Sequence, residues 1–228
     1  MSTPEPPRRE SRRRLPRRHP AQTAARVADR LRSQIEDGTH LPGAKLAEQS
    51  LAEALDVSRN TLREAFTALD AEGLVRRVPY RGVFVKRPSV EDIAELYRTR
   101  RMLEPAAALW GQLSPSALER MRGIVAEALA AKDRSDVPAM AAANEDLHRA
   151  IVAMTGAAML IETMEQVLAQ ARLVFFTMPD RVQFHASFAV ANAALVELLA
   201  AGDRQRAAEE LRDYLDRAER ELLAHVRG

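Results

Sequence analysis

The chain has 228 residues, which is enough for one or two domains that each bury a hydrophobic core. It contains no cysteine, which excludes a disulfide framework and a thiolate metal site. It also contains no run of eighteen apolar residues, so no membrane-spanning helix is predicted. Residues 1–20 carry seven Arg against two Glu, whereas residues 89–228 carry sixteen basic and twenty-one acidic residues. This asymmetry predicts that only the N-terminal side binds a polyanion, and we expect a cytoplasmic protein without a membrane partner.

The first twenty residues are rich in arginine and proline. They include five prolines and almost no apolar side chains. Such a segment cannot bury enough surface to offset the entropy of ordering it, so we predict a disordered tail. The tail could also add sequence-independent affinity for nucleic acid by neutralising phosphates, and the two interpretations are compatible.

Three helices are predicted between residues 21 and 73. Ala21–Asp37 and Leu46–Leu55 both have apolar residues at helical spacing. Only Asp56 and Val57 separate the second helix from Ser58, a favourable N-cap for a third helix that ends at Gly73. Two helices joined by a tight turn are typical of a helix-turn-helix.

The third helix has two distinct faces. Its apolar face consists of Leu62, Ala65, Phe66 and Leu69. The opposite face carries Asn60, Arg63 and Thr67, with Arg59 at its flank. Amide, guanidinium and hydroxyl groups are suited to base edges and phosphates, so this face is a candidate DNA-reading surface.

A β-hairpin is predicted directly after the third helix. The runs Leu74–Val78 and Val83–Lys86 are rich in β-branched residues and flank a turn that contains Pro79. A hairpin in this position is the wing of a winged helix, and its tip would carry Arg81 and Gly82.

The rest of the chain shows only helical signals. Lys86–Ser89 is a linker, and six helices are then predicted at Val90–Leu113, Ser116–Lys132, Asp136–Met154, Ala157–Met178, Arg181–Ala201 and Arg204–Val226. Their short connections favour an antiparallel bundle. We therefore expect a mostly α protein with a tail at 1–20, a winged helix-turn-helix at 21–87 and an all-α bundle at 88–228.

Several motifs in the first part resemble the GntR family of bacterial transcription regulators. They are Leu41-Pro-Gly-Ala-Lys-Leu, Leu51-Ala-Glu-Ala-Leu-Asp-Val-Ser-Arg, Leu62-Arg-Glu-Ala, Glu72-Gly-Leu-Val and Arg81-Gly-Val-Phe-Val. The resemblance implies a homodimer that binds a double-stranded, palindromic DNA operator. One departure is Asp56, where the family usually has Gly, and Asp tolerates the left-handed turn better than most residues.

The resemblance also implies which residues contact DNA. They are Arg59 and Arg63 as main contacts, Asn60 and Thr61 as auxiliary contacts, and Arg81 with Gly82 in the wing. Gln49 is a further candidate, because it stands where fatty-acid-responsive members carry a DNA-contacting Arg.

The second part resembles the FCD effector domain of the FadR-like branch of this family. The motifs are Arg100-Arg-Met-Leu-Glu104, Asn144-Glu-Asp-Leu-His-Arg-Ala-Ile151 and Ala200-Ala-Gly-Asp203. The resemblance implies effector binding and dimerisation by the bundle. It implies a small-molecule effector, and Arg100 with Arg172 would make a carboxylate the expected class.

Many FCD domains hold a metal with an Asp, a His four residues later and one His on each of the last two helices. By that resemblance the four positions fall on Asn144, His148, Asn192 and Tyr214. Only His148 keeps the expected ligand type, because neutral Asn is a poor donor and Tyr is rarely ionised at neutral pH. We therefore expect no metal cofactor, and an effector that binds these side chains directly.

Methionine and phenylalanine are concentrated in two late helices. They are Met159, Met164, Phe175, Phe176, Met178, Phe184 and Phe188. We expect them to pack in the core, and the alternative is that they line a flexible effector pocket.

No enzyme signature is present in the sequence. It has no Cys nucleophile, Gly-rich phosphate loop or G-x-S-x-G, and its five His lack metalloprotease spacing. The main prediction is a transcription repressor released by an organic acid. The alternatives are a constitutive architectural DNA-binding protein and, with less support, a metal-dependent bundle enzyme.

Overall fold

The computed structural model of the protein describes residues 20–178 and 181–227. The predicted tail, apart from its last residue, and a predicted helix cap at Asp180 therefore lie outside the described residues. The described parts contain nine helices and one three-stranded sheet, in the order α1 (Pro20–Glu36), β1 (Lys45–Leu46), α2 (Glu48–Ala54), α3 (Arg59–Ala71), β2 (Val75–Val78), β3 (Gly82–Val85), α4 (Val90–Trp110), α5 (Pro115–Asp133), α6 (Val137–Ala153), α7 (Ala158–Phe175), α8 (Arg181–Ala200) and α9 (Arg204–Arg227). The mostly α fold class is confirmed.

Helices α1 to α3 and the sheet form a winged helix. The predicted apolar face of α3 is buried, with Leu62, Phe66 and Leu69 fully inaccessible, and it packs against α1. Asp56 adopts a φ of 51° and so makes the left-handed turn between α2 and α3.

One boundary in the winged helix was predicted wrongly. The helix expected over Leu46–Leu55 begins only at Glu48, because Leu46 belongs to strand β1. Strand β1 pairs antiparallel with β3, opposing Leu46 to Val83, and the sheet order is β1-β3-β2. Burial of Leu46 beneath the wing favours the strand conformation of this residue over one more turn at the start of α2.

Helices α4 to α9 form the predicted six-helix bundle. Helix α4 packs along α9, while α5 packs against α6 and α8. Serine caps define two of the starts: Ser89 forms a capping box with Asp92, and Ser114 accepts from Ala117 N at 3.1 Å before Pro115 opens α5.

Helix α8 is long and apolar enough to cross a membrane by composition alone. In this fold it is a bundle helix, and its Phe184, Phe188 and Leu199 side chains are buried in the hydrophobic core. Most of the late Met and Phe side chains are at least partly buried, as expected. Met159 was predicted wrongly, since it lies in the first turn of α7 with 81% of its surface exposed.

Helix α7 contacts both parts of the chain. Met164 packs in the bundle core, whereas Ala169 and Leu173 belong to the buried cluster of the winged helix. Gln170 Nε2 also donates to the Glu72 carbonyl at 2.9 Å. The two folded parts therefore share a packed seam, and α7 is its central element.

Candidate functional site

The N-terminal end of α3 is organised around Ser58. Its Oγ accepts from Thr61 N at 3.1 Å and lies 2.9 Å from Thr61 Oγ1. This cap fixes the first turn of α3, from which Arg59, Asn60 and Arg63 are exposed. Thr61 is half-buried, and its hydroxyl contacts the Ser58 cap.

Three of the exposed polar residues of α3 and α2 already have intramolecular partners. Arg63 Nε donates to Glu48 Oε2 at 2.9 Å, and Asn60 Nδ2 donates to Glu64 Oε1 at 2.8 Å. Gln49 lies next to Glu48 on α2 and donates to a carboxylate of its own helix at 3.2 Å. Such exposed contacts are weak and can be exchanged for contacts with DNA.

The wing presents two further cations. Its turn places Gly82 at a φ of 107° and sets Arg81 5.8 Å from the centre of the Phe84 ring. The Lys45 side chain lies beside this turn, since a Cβ on Gly82 would be 3.4 Å from Lys45 Cε. Arg77 joins the wing to α3 through bonds from its Nη2 to the Arg63 carbonyl and to the Thr67 hydroxyl.

Arg77 and Lys45 were not singled out from the sequence. Both are ordinary charged residues of short strands, and their positions follow from strand pairing and not from any local motif. All seven predicted DNA-contacting residues lie in α2, in α3 or at the wing tip.

A buried polar network occupies the centre of the bundle. We call it the core cluster, and it consists of Arg100, Glu104, Asn144, His148, Asn192 and Tyr214. Arg100 Nε donates to Glu104 Oε1 at 2.5 Å, and His148 Nδ1 lies 2.6 Å from Glu104 Oε2. The contact between His148 and Glu104 joins α6 to α4.

Two further helices enter the core cluster through Asn144. Its Oδ1 accepts from Asn192 Nδ2 at 2.9 Å and from the Tyr214 hydroxyl at 2.7 Å. Tyr214 Oη also lies 3.2 Å from His148 Nε2. Five of the six predicted effector-binding residues are thus brought together from α4, α6, α8 and α9.

The charges of the core cluster are matched internally. Burial opposes ionisation of Glu104, but Arg100 and His148 outweigh it and lower the pKa of Glu104 to about 2. Burial, followed by the charge of Arg100, lowers the pKa of His148 despite the attraction of Glu104. Burial raises the pKa of the Tyr214 phenol. At neutral pH the cluster therefore holds one guanidinium and one carboxylate, with a neutral imidazole and phenol.

The unused hydrogen-bonding capacity of the core cluster consists mainly of acceptors. Tyr214 has one hydroxyl hydrogen and gives it to Asn144, so a neutral His148 that donates from Nδ1 keeps a lone pair on Nε2. Among the described residues, no hydrogen-bond donor reaches the buried Asn192 Oδ1. A ligand group that donates hydrogen bonds matches these atoms better than a carboxylate does.

The core cluster does not fit a transition metal. It offers one imidazole, two neutral amides, a phenol with a raised pKa and the Glu104 carboxylate, whose two oxygens already contact Arg100 and His148. The Asn144 oxygen likewise already accepts two hydrogen bonds. A stable site for zinc or a similar ion needs several imidazole, thiolate or carboxylate ligands. Within residues 20–178 and 181–227, no three His, Asp or Glu residues are grouped to hold a metal.

Arg172, the sixth predicted effector-binding residue, lies apart from the core cluster. On α7 its Nε donates to the Glu36 carbonyl at the end of α1, at 3.0 Å, and its Nη1 is 3.2 Å from Glu145 Oε1. Arg172 therefore connects the winged helix to the bundle.

Comparison with known families matches both halves of this arrangement. The model described as "Bacterial regulatory proteins, gntR family" matches residues 23–85, and the FCD domain model matches residues 95–217. The chain belongs to the GntR family and carries an FCD domain. It is therefore a DNA-binding transcription regulator of the bacterial cytoplasm with an effector-binding domain, and not an enzyme.

Individual relatives agree with this assignment. A regulator of Agrobacterium vitis from the TAR-I ttuE-ttuC' intergenic region is 33% identical over 128 residues, which are 54% of this chain and 75% of that protein. The gluconate operon repressor of Bacillus subtilis is 37% identical over 84 residues, covering 37% of this chain and 34% of the repressor. A solved GntR regulator from Rhodococcus sp. RHA1 superposes with a TM-score of 0.83 at 38% identity and covers 89% of this chain and 98% of its own.

Proposed function

We propose that this regulator is a homodimeric repressor that leaves a palindromic operator when its bundle binds a small organic acid. The observation that carries the proposal is the seam at α7, because Arg172, Gln170 and Leu173 join the effector domain directly to the winged helix. Ligand binding in the bundle can therefore alter the position of α3. The repressor direction is supported by the similarity to the gluconate operon repressor.

The proposed organisation has three parts. Residues 1–20 are a phosphate-binding tail, residues 21–87 read DNA, and residues 88–228 bind effector and dimerise. Large apolar side chains such as Met102, Trp110 and Val190 are exposed in the single chain, which supports a partner subunit that covers part of the bundle.

For DNA recognition we propose a division of roles. Arg59 and Arg63 contact base edges, Asn60, Thr61 and Gln49 assist them, and Arg81 with Gly82 contacts the backbone or minor groove. The exposed positions of Arg59 and Arg63 at the capped start of α3 support the first assignment.

For the effector domain we propose that Arg100, Asn144, His148, Asn192 and Tyr214 respond to the effector. These residues tie four helices together, so changing one contact repacks the bundle.

Competition binding tests the regulator against the architectural alternative. Operators are selected from genomic fragments, and the protein is then titrated against the selected site and random DNA at a stated salt concentration. We expect a preference of at least ~10³ for the selected site. Equal affinity for both DNAs contradicts the repressor and favours an architectural protein.

Variants then test the division of roles. Arg59→Ala and Arg63→Ala should each weaken operator binding by roughly 1–3 kcal/mol and relax sequence preference. Deletion of residues 1–20 should weaken all DNA binding and reduce its salt dependence. Loss of site preference on tail deletion alone would show that the roles are assigned wrongly.

A further inference from the structure

A second pocket lies at the seam, separate from the core cluster. We call it the seam pocket: a cavity of about 300 Å³ between the end of α1, the start of α6, the end of α7 and the start of α8. The residues that matter here are Pro138, Ala141, Arg172, Phe176, Arg181 and His185. The volume and the mostly apolar wall are those of a small-molecule site.

His185 is a buried polar residue that lines this pocket. The residue is 3% exposed and lines the cavity, yet its imidazole makes no hydrogen bond to a described residue. It packs edge-on against Phe175 and Phe184, with ring centroids 5.3 Å away in both cases. The imidazole therefore keeps hydrogen-bonding capacity that a ligand in the cavity can use.

Two guanidinium groups flank the imidazole. Arg181 stands over the Phe176 ring at 5.9 Å and forms no ion pair with a described residue, while Arg172 uses Nε and Nη1 toward Glu36 and Glu145. Burial, then Arg172, then Arg181, lowers the pKa of His185 to about 4, so it is neutral at physiological pH. The electrostatic potential at His185 is therefore positive.

Carboxylate groups also border the pocket, and their charges oppose those of the two guanidinium groups. Glu36 and Asp37 form the rim on α1, and Glu145 lies behind Arg172. Burial raises the pKa of Glu36 and raises that of Glu145 to about 7, so both hold their negative charge weakly. Asp37 keeps its charge, because a hydrogen bond from Thr39 N at 2.8 Å lowers its pKa. The positive side of the pocket is thus the α7 and α8 side.

We propose that the seam pocket binds a monocarboxylate with an apolar body. The carboxylate lies between Arg181 and Arg172, the body packs on Phe176, Pro138 and Ala141, and His185 hydrogen-bonds to the ligand. This inference rests on the proposed function, since it specifies where the organic acid of that function binds.

A ligand in the seam pocket can affect both the winged helix and the core cluster. A carboxylate that takes Arg172 competes with its bond to the Glu36 carbonyl, which holds the end of α1. In the other direction, packed rings run from His185 through Phe184 and Phe188 to Tyr214, with successive centroids 5.3, 4.8 and 4.7 Å apart. The core cluster then senses a ligand that it does not itself contact.

Histidine NMR on the full chain tests the seam site. The five His are isotope-labelled, and the His185 signal is assigned by its absence in His185→Gln. The probes are phenylacetate and hexanoate, and the matched neutral controls are phenylacetamide and hexanamide. We expect at least one acid to shift the His185 signal saturably, and its amide to bind about tenfold more weakly or less.

Variants locate the carboxylate and the apolar body. Arg181→Gln should weaken the acid about tenfold, whereas Arg212→Gln, an exposed change elsewhere on the bundle, should not. Ala142→Leu fills the pocket from an exposed position of α6 and should abolish the shift.

Three results overturn the seam site: no saturable shift up to about 10 mM acid, equal binding of acids and amides, or a primary response of His148 with His185 unchanged. Operator selection is measured on the same preparation. A protein that selects an operator but gives any of these results retains the proposed function and loses the seam site. One that binds acid at His185 without an operator preference loses the proposed function instead.

Discussion

In the core cluster each charged side chain has a partner within hydrogen-bonding distance, whereas at the seam pocket charged and polar groups are buried with incomplete partners. Glu104 holds both Arg100 and His148. Glu145, at the seam, lies 3.2 Å from Arg172, yet its Oε1 accepts no hydrogen bond from a described residue. The matched network stabilises one arrangement of the bundle. The groups with incomplete partners at the seam can gain hydrogen bonds or ion pairs when a ligand binds or when the domains move.

The largest effect is expected from removing the carboxylate of the core cluster. Glu104→Gln leaves the Arg100 charge buried without a counterion, which should lower the free energy of unfolding by about 3–5 kcal/mol. Urea denaturation followed by circular dichroism measures this change. The double variant Arg100→Met with Glu104→Leu removes both charges and should lose much less. A single variant within about 1 kcal/mol of the wild type would show that the pair is not the stabilising contact.

At the seam, Glu145 should make stability depend on pH. Its pKa is raised from 4.5 to about 7 by burial, which outweighs the attraction of Arg172; Glu36 adds to the rise, Arg149 opposes it and Asp146 adds to it. The folded state therefore binds this proton more tightly, and the resulting stability is present below pH 4.5 and lost as the pH rises through 7. From about pH 8 to about pH 5.5 the contribution of Glu145 should grow by about 2 kcal/mol.

The comparison of wild type with Glu145→Gln isolates that contribution. The variant should lack this rise while it keeps the pH dependence of every other group. Identical pH profiles of the two proteins would place the proton elsewhere.

His185 should give the opposite dependence. Its folded pKa of about 4 lies below the ordinary 6.5, so its contribution to stability is present above pH 6.5 and lost as the pH falls through 4. Over the interval from about pH 8 to about pH 5.5 this loss is about 1 kcal/mol. His185→Gln should remove it, and a saturating acid on the wild type should change the size of the loss. If the wild type and His185→Gln lose equal stability, the pKa of His185 is the same in the folded and unfolded protein, and burial does not hold the imidazole neutral.

The sequence predicted the core cluster better than the seam. Asn144 and His148 are one turn apart on α6, and the resemblance to FCD domains correctly grouped Asn192 and Tyr214 with them. The capping residues Ser89 and Ser114 likewise predicted where two helices begin, because a cap acts within one helical turn.

The seam depends on residues far apart in the chain. Arg172 meets Glu36 across 136 positions, and no local pattern distinguishes this from a place in the core cluster. The strand at Leu46 was missed for the same reason, since its partner Val83 is distant in sequence. Contacts between separately patterned segments are determined by packing, which periodicity does not describe.

The smallest effect is expected from the seam hydrogen bond of Gln170. Gln170→Ala removes the 2.9 Å bond to the Glu72 carbonyl and should cost about 0.5–1.5 kcal/mol. Because the bond lies between the two folded parts, the loss should be local. Amides near Gly73 should exchange faster with solvent, while amides around His148 in the core cluster keep their protection. Gln205→Ala, which removes an exposed contact to Glu209 on α9, is the control and should leave both regions unchanged. Equal acceleration around His148 would mean that the seam and the core open as one cooperative unit, and the contrast between them would then not extend to their dynamics.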